Sequence, residues 1–212
     1  SATHTWVVDT TDPAVSISDS PADPSNSDAA DFTVTSSDGG SGLASTTCEL
    51  DGAAQADCGG VASGLADGSH TFTATATDAA GNSASASYTW YTDLTDPTVA
   101  ITGGPVDPTN NANAVFFVSS GDDYSMDSTV CDIDGTTVDC GGDTVSEGSH
   151  TFTATATDAA GNSASATFTW NVDTTAPTAS ISDGPTDGGW DNDDTPTMTF
   201  SGTDENSGVA SY

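Results

Sequence analysis

The nineteen residues GSHTFTATATDAAGNSASA occur twice in this chain, from Gly68 to Ala86 and from Gly148 to Ala166. Within them apolar and hydroxyl side chains alternate with a period of two, so Phe72, Ala74 and Ala76 fall on one face and Thr71, Thr73, Thr75 and Thr77 on the other. That period fits the pleat of a half-buried β-strand and does not fit a helix. The pattern continues through Ala84, Ala86, Tyr88 and Trp90, and in the copy through Ala164, Ala166, Phe168 and Trp170. DAAGN between the two halves reads as a hairpin turn: Asp78 accepts backbone N–H groups, and Gly81 or Asn82 takes the left-handed conformation. Letter-for-letter duplication of such a hairpin points to repeated scaffold modules rather than to a reaction centre.

The linker DTTDP at Asp9 recurs as DLTDP at Asp93 and DTTAP at Asp173, after 84 and 80 residues. These periods divide the chain into the last strand of a preceding repeat (1–8), two whole repeats (9–92 and 93–172) and the first part of a further one (173–212). Phe32 and Val34 align with Phe116 and Val118, and with Met198 and Phe200 in the third copy. Trp6, Trp90 and Trp170 share one repeat position, which predicts core or junction packing for all three. Trp190 falls outside it, either as an exposed contact or as a loop residue packed on its own domain. Short strands closed by Gly, Asp, Asn and Pro, with no amphipathic helix, predict an all-β chain of antiparallel sandwiches arranged end to end. The chain opens on a last strand and stops at Tyr212, before the next expected cysteine, and so reads as a window on a longer repetitive protein.

The chain has no Lys or Arg, 32 acidic residues and a formal net charge of −32. Nucleic acid requires cationic side chains to displace its counterions, and anionic membrane surfaces require the same charge, so both are excluded as direct partners. Crosslinks through lysine are excluded too, as are ion pairs to Lys or Arg. The longest apolar run, AVFFV at 114–118, is too short to span a membrane. Four cysteines allow three pairings, and the repeat favours the local one, Cys48 with Cys58 and Cys131 with Cys140. Each loop of about ten residues would contribute roughly 2–3 kcal/mol. Their spacing is a poor match to zinc, and disulfides imply an oxidising, extracellular compartment.

The succession C-x-L/I-D-G, Cys-Gly-Gly, GSHTFTATATDAAGN and T-W-x-x-D-x-T-x-P resembles the tandem immunoglobulin-like repeats of large bacterial and archaeal surface proteins. Members of that family serve as stalks, adhesin extenders, wall-protein modules and accessory domains of secreted enzymes. The resemblance implies a topology in which the linker enters beside the second-to-third-strand loop and the last hairpin turn. That brings Asp93 and Asp96 near Asp122, Asp123 and Asp158, with Asp23 and Asp67 approaching the same junction. Asp9, Asp12, Asp38 and Asp78 form the equivalent group in the first copy; in the third, Asp173 and Asp204 converge with Asp107 and Glu147. Calcium takes six to eight hard oxygen ligands from flexible loops, so each group is a candidate inter-repeat calcium site, and each Asp has the plain alternative of being a turn residue.

Catalysis has little to rest on. His70 and His150 occupy one place in successive repeats and group with Phe72 and Phe152, so a Ser-His-Asp set here is a chance of composition. The resulting expectation is a non-enzymatic structural segment of an acidic extracellular protein: a stalk, adhesin extender or surface fibre whose partners are neighbouring repeats of the same or identical chains. The alternative is a module that binds a surface glycan or protein. The loops GGSGLAS and GDDYSMDS differ between the copies and leave room for it.

Overall fold

A computed structural model describes residues 1–60, 62–184 and 197–210. The chain forms two compact units: Ser1–Pro97 with Asp122–Asp127 and Thr157–Ser163, and Thr98–Gly121 with Ser128–Ala156 and Ala164–Tyr212. Eight strands come first: β1 (Ala14–Ser18), β2 (Ala29–Ala30), β3 (Thr33–Ser37), β4 (Leu43–Leu50), β5 (Ala53–Gln55), β6 (Ala62–Ser63), β7 (Gly68–Asp78) and β8 (Ser83–Thr92). The same order recurs in β9 (Thr98–Gly103), β10 (Asn113–Val115), β11 (Phe117–Gly121), β12 (Met126–Ile133), β13 (Thr136–Val138), β14 (Gly142–Thr144), β15 (Gly148–Asp158) and β16 (Ser163–Val172). β17 (Thr178–Asp183) and β18 (Thr199–Thr203) follow. The described residues contain no helix, and no helix long and apolar enough to cross a membrane.

The duplicated nineteen residues supply the first strand, the turn and the start of the second strand of the hairpin at one edge of each four-stranded sheet, ordered β5-β4-β7-β8 and β13-β12-β15-β16. In the first, the antiparallel register sets His70 opposite Trp90, Phe72 opposite Tyr88 and Ala74 opposite Ala86. Alanine at these places lets a second layer approach closely. β1 and β3 form that layer, their Val15, Ile17 and Val34 packing on a core of Phe32, Phe72, Ala74 and Trp90. Phe32 lies flat on Phe72 with ring centroids 4.1 Å apart, and Phe116 on Phe152 at 3.9 Å. Such pairs of stacked rings add to the burial of area. On the outer face hydroxyls pair across strands, Thr71 with Thr89 and Thr75 with Ser85.

Cys48 is bonded to Cys58 and Cys131 to Cys140, each pair closing a small loop over its core. Within these loops Asp51-Gly52 and Asp134-Gly135 make the β4–β5 and β12–β13 turns with both residues at positive φ, the two-residue hairpin geometry that Asp-Gly favours.

Two alignments made from the sequence do not extend to burial. Trp90 and Trp170 are 1% exposed, whereas Trp6 is 74% exposed because residues 1–8 pair with no strand. Met198 and Phe200 are also exposed, since β17 pairs only with β18 and the described residues supply no second layer over them. Trp190 lies outside the described residues.

The copies differ at one buried hydrogen bond. Trp90 Nε1 donates to Thr92 Oγ1 at 3.1 Å, but the corresponding residue after Trp170 is Val172, and Trp170 Nε1 is buried without an acceptor. Thr92→Val is expected to cost about 1 kcal/mol and Val172→Thr to recover a similar amount, read from urea unfolding of the two variants.

Candidate metal centre

The acidic residues of the linkers and loops meet as two clusters among the described residues, Asp9 with Asp38 and Asp78, and Asp93 with Asp122 and Asp123. In each, one carboxylate oxygen per residue lies within 4.8 Å of the others. Both clusters belong to the first compact unit.

The DAAGN turns hold these clusters together. Asp78 Oδ1 accepts the N–H groups of Ala80, Gly81 and Asn82 at 2.9, 2.7 and 2.8 Å, with Gly81 at positive φ. Asn82 Nδ2 donates both to Asp78 Oδ2 at 2.7 Å and to the Asp9 carbonyl at 3.2 Å, tying turn to linker. Asn162 repeats this with Asp158 Oδ2 at 2.7 Å and the Asp93 carbonyl at 2.9 Å. Burial by itself would raise the pKa of Asp78, but the Asn82 side chain and the three amides outweigh it and hold the carboxyl below its ordinary value. Both oxygens of Asp158 are likewise engaged, by Gly161 and Asn162. The turn aspartates therefore brace the loops and already carry hydrogen bonds.

Asp93 is different. It is 2% exposed, and although Oδ1 accepts Thr95 N–H at 3.1 Å, Oδ2 is buried with no donor. Asp122 faces it: Oδ2 accepts the amides of Tyr124 and Ser125 at 2.8 and 3.0 Å, while Oδ1 is buried with no donor. Asp123 completes the group from the exposed side. Burial and the negative charges of Asp122, Asp158 and Asp123 push the Asp93 carboxyl above its ordinary value. Buried carboxylates without donors are costly unless a cation neutralises them. An all-oxygen donor set open to solvent on one side suits a hard divalent ion, and the unsatisfied Asp93 Oδ2 fits that use.

Of the remaining aspartates read from the sequence, Asp96 is exposed and outside both clusters. Asp67 accepts Leu94 N–H at 2.6 Å, and Asp23 accepts Tyr91 N–H at 2.9 Å. Asp173 accepts the amides of Thr175 and Ser207 at 3.1 and 2.9 Å; its hydrogen bonding to Ser207 holds its carboxyl below the ordinary value. Glu147 accepts from Thr175 Oγ1 and Asn206 Nδ2 at 2.7 and 2.9 Å.

The sequence reading missed a second ionic feature. His70 Nδ1 lies 2.7 Å from Asp51 Oδ2, and Nε2 lies 2.8 Å from the Ala66 carbonyl; His150 makes the same contacts with Asp134 and Ser146, at 2.7 and 2.9 Å. A carboxylate and a carbonyl both call for a donor, so the two acceptors around each ring favour the doubly protonated imidazolium. Its signal was the strict recurrence of Asp51 and Asp134 in the two Asp-Gly turns.

Comparison with known proteins gives the class. Residues 135–201 match the bacterial Ig-like domain (group 3), the kind of resemblance read from the sequence. The fold is that of all-β sandwich modules, and the family match covers residues 135–201 of it. Among solved structures, the chain is similar to the fibronectin(III)-like modules of CbhA from Clostridium thermocellum, with TM-score 0.45 and 15% identity, covering 75% of this chain and 94% of that one. It is also similar to a Ca2+-stabilized adhesin with which an Antarctic bacterium binds ice, with TM-score 0.41 and 22% identity over 88% of this chain and 55% of that one. A search of the curated proteins finds no match.

Proposed function

We propose that the chain is a structural, non-enzymatic segment of an extracellular surface protein, a stalk, adhesin extender or surface fibre built of repeats 9–92 and 93–172 with the first part of a further one (173–212), and stabilised by calcium. Its partners are neighbouring repeats of the same or identical chains, with no nucleic acid and no direct membrane contact. The observation that carries this reading is the buried Asp93 carboxylate, whose Oδ2 has no donor and faces Asp122 and Asp123. In a segment with no Lys or Arg, a divalent cation neutralises that group where no side-chain cation can. The His–Asp pairs support the non-enzymatic part, because both ring nitrogens are already committed to structural acceptors.

Thermal unfolding at matched ionic strength tests it. Calcium at about a hundred times its dissociation constant contributes about 2.7 kcal/mol, which predicts a Tm higher by roughly 5–10 °C than in chelator. Identical melts would overturn the reading.

One observation favours glycan binding as a second reading. Tyr124, 44% exposed, stacks on Tyr91 with centroids 3.9 Å apart, in the loop that differs between copies. Saturable signal on a glycan array that is lost in Tyr124→Ala would support it, and a passive stalk gives none.

A further inference from the structure

The two acidic clusters look alike in composition, but their hydrogen bonding does not match. Resting on the cation reading above, we infer that, of the two clusters among the described residues, the one at Asp93, Asp122 and Asp123 takes a divalent cation and the one at Asp9, Asp38 and Asp78 takes none at the same free concentration.

In the first copy the linker aspartate is satisfied by the backbone. Asp9 Oδ1 accepts Thr11 N–H at 3.0 Å and Oδ2 accepts Ser41 N–H at 2.6 Å. That carboxylate lies over Gly40, where a Cβ would run into it. Asp38 Oδ2 takes the amides of Gly40 and Gly42, leaving Asp38 Oδ1 as the one oxygen of this cluster that is buried and without a donor. Asp78 has both oxygens engaged in its turn. Amide donors thus do here what a cation would do, and the Asp9 carboxyl is held below its ordinary value, first by the Thr11 amide and then by Ser41.

In the second copy the four residues Gly39-Gly40-Ser41-Gly42 are answered by three, Asp123-Tyr124-Ser125. Ser125 takes the place of Gly42: its carbonyl accepts Ala159 N–H as that of Gly42 accepts Ala79 N–H, and its amide goes to Asp122 as that of Gly42 goes to Asp38. Ser41, whose amide serves Asp9 Oδ2, has no counterpart, and Tyr124 carries a side chain stacked on Tyr91. Asp93 Oδ2 therefore lacks the donor that Asp9 Oδ2 keeps, a second unsatisfied oxygen remains on Asp122, and Asp123 adds a further carboxylate where the first copy has glycine. Together these changes raise local negative charge and free ligand capacity. The shorter loop, Asp123-Tyr124-Ser125 against Gly39-Gly40-Ser41-Gly42, is the specificity determinant.

Calorimetric titration of the whole 212-residue chain with calcium chloride, at fixed ionic strength, tests the inference. Of the two clusters, that at Asp93, Asp122 and Asp123 is expected to bind in the parent chain. Asp123→Gly is expected to weaken it at least tenfold. A loop variant with Gly39→Asp, Gly40→Tyr and Gly42→Ser and with Ser41 deleted is expected to bind one ion more than the parent chain. Terbium in place of calcium gives an independent readout, because Tyr124 flanks only the second cluster and sensitises emission there; Tyr124→Phe is expected to dim it. Two equal sites in the parent chain, or one that survives Asp123→Gly and is lost in Asp38→Asn, overturn the inference and leave the calcium reading intact. A loop variant that binds no additional ion overturns the role given to residues 39–42. No binding at all overturns the calcium reading itself.

Discussion

Trp90→Ala should destabilise its sandwich by about 3–5 kcal/mol, while Trp6→Ala should stay within about 0.5 kcal/mol, although the two tryptophans occupy the same repeat position. Trp90 is 1% exposed and packs between Phe32, His70 and Tyr88, with centroid separations of 5.4, 5.4 and 6.1 Å. Truncation removes the largest side chain of that core and leaves a cavity, because Phe32 and Phe72 are stacked on each other and cannot both move into the space. It also deprives Thr92 Oγ1 of its donor. Trp6 stands 74% in solvent and has none of these contacts except a neighbouring His4 ring at 6.2 Å. Urea unfolding of the two variants beside the parent chain checks the contrast. Equal costs would mean that Trp6 is packed as Trp90 is, and would contradict the fold described for residues 1–8.

The same pair of residues separates what local sequence dictates from what tertiary neighbours decide. The alternation of HTFTATATD fixes which side chains share a face, and β7 buries His70, Phe72, Ala74, Ala76 and Asp78 while leaving the threonines between them half exposed. The DAAGN turn was legible for a similar reason, since the Asp side chain and the glycine act within a span of five residues. Burial is different: it needs a second layer, which among the described residues Trp90 has and Trp6, Met198 and Phe200 do not. Equivalent repeat position therefore predicted face correctly and depth only where the opposing strands were present.

The candidate metal centre shows the limit more sharply. Asp78, Asp93, Asp122, Asp123 and Asp158 were all readable as candidate ligands, because a turn-capping aspartate and a calcium ligand make the same demand on the sequence. What distinguishes them is the direction of nearby amide N–H groups. Asp158 meets those of Gly161 and Asn162, whereas Asp93 Oδ2 meets none, and that follows from the position of the 122–125 loop rather than from the identity of residue 93. The His–Asp pairs were missed for a related reason. Asp51 and His70 are 19 residues apart, and they meet only because the β4–β5 turn folds back beside the start of β7.

Those pairs carry the second large effect. His70→Ala is expected to cost about 2–3 kcal/mol, because it removes a buried ring and leaves the Ala66 carbonyl without a donor. The ionic part is discounted, since the Asp51 side chain is 45% exposed and its attraction to the imidazolium is screened by water. Burial would push His70 down, but the Asp51 carboxylate and the Ala66 carbonyl outweigh it and hold the ring above its ordinary value; His150 is raised in the same way by Asp134 and Ser146. A raised histidine stabilises the fold fully below the unfolded value of about 6.5, and that stability is lost as pH rises through the folded value. Asp51 and Asp134, held below the ordinary carboxylate value, contribute above about 3.9 and lose their contribution as pH falls through their folded values. The pairs are therefore worth most between about pH 4 and 6.5, and the melting temperature should decline on the alkaline side as both imidazoles lose their protons. The double variant His70→Gln with His150→Gln keeps a polar side chain at both places but cannot titrate, so its melting temperature should be flat across the interval in which the parent chain declines. Parallel curves for the two proteins would show that the imidazoles are neutral, and would remove the only interior cations this lysine- and arginine-free chain has.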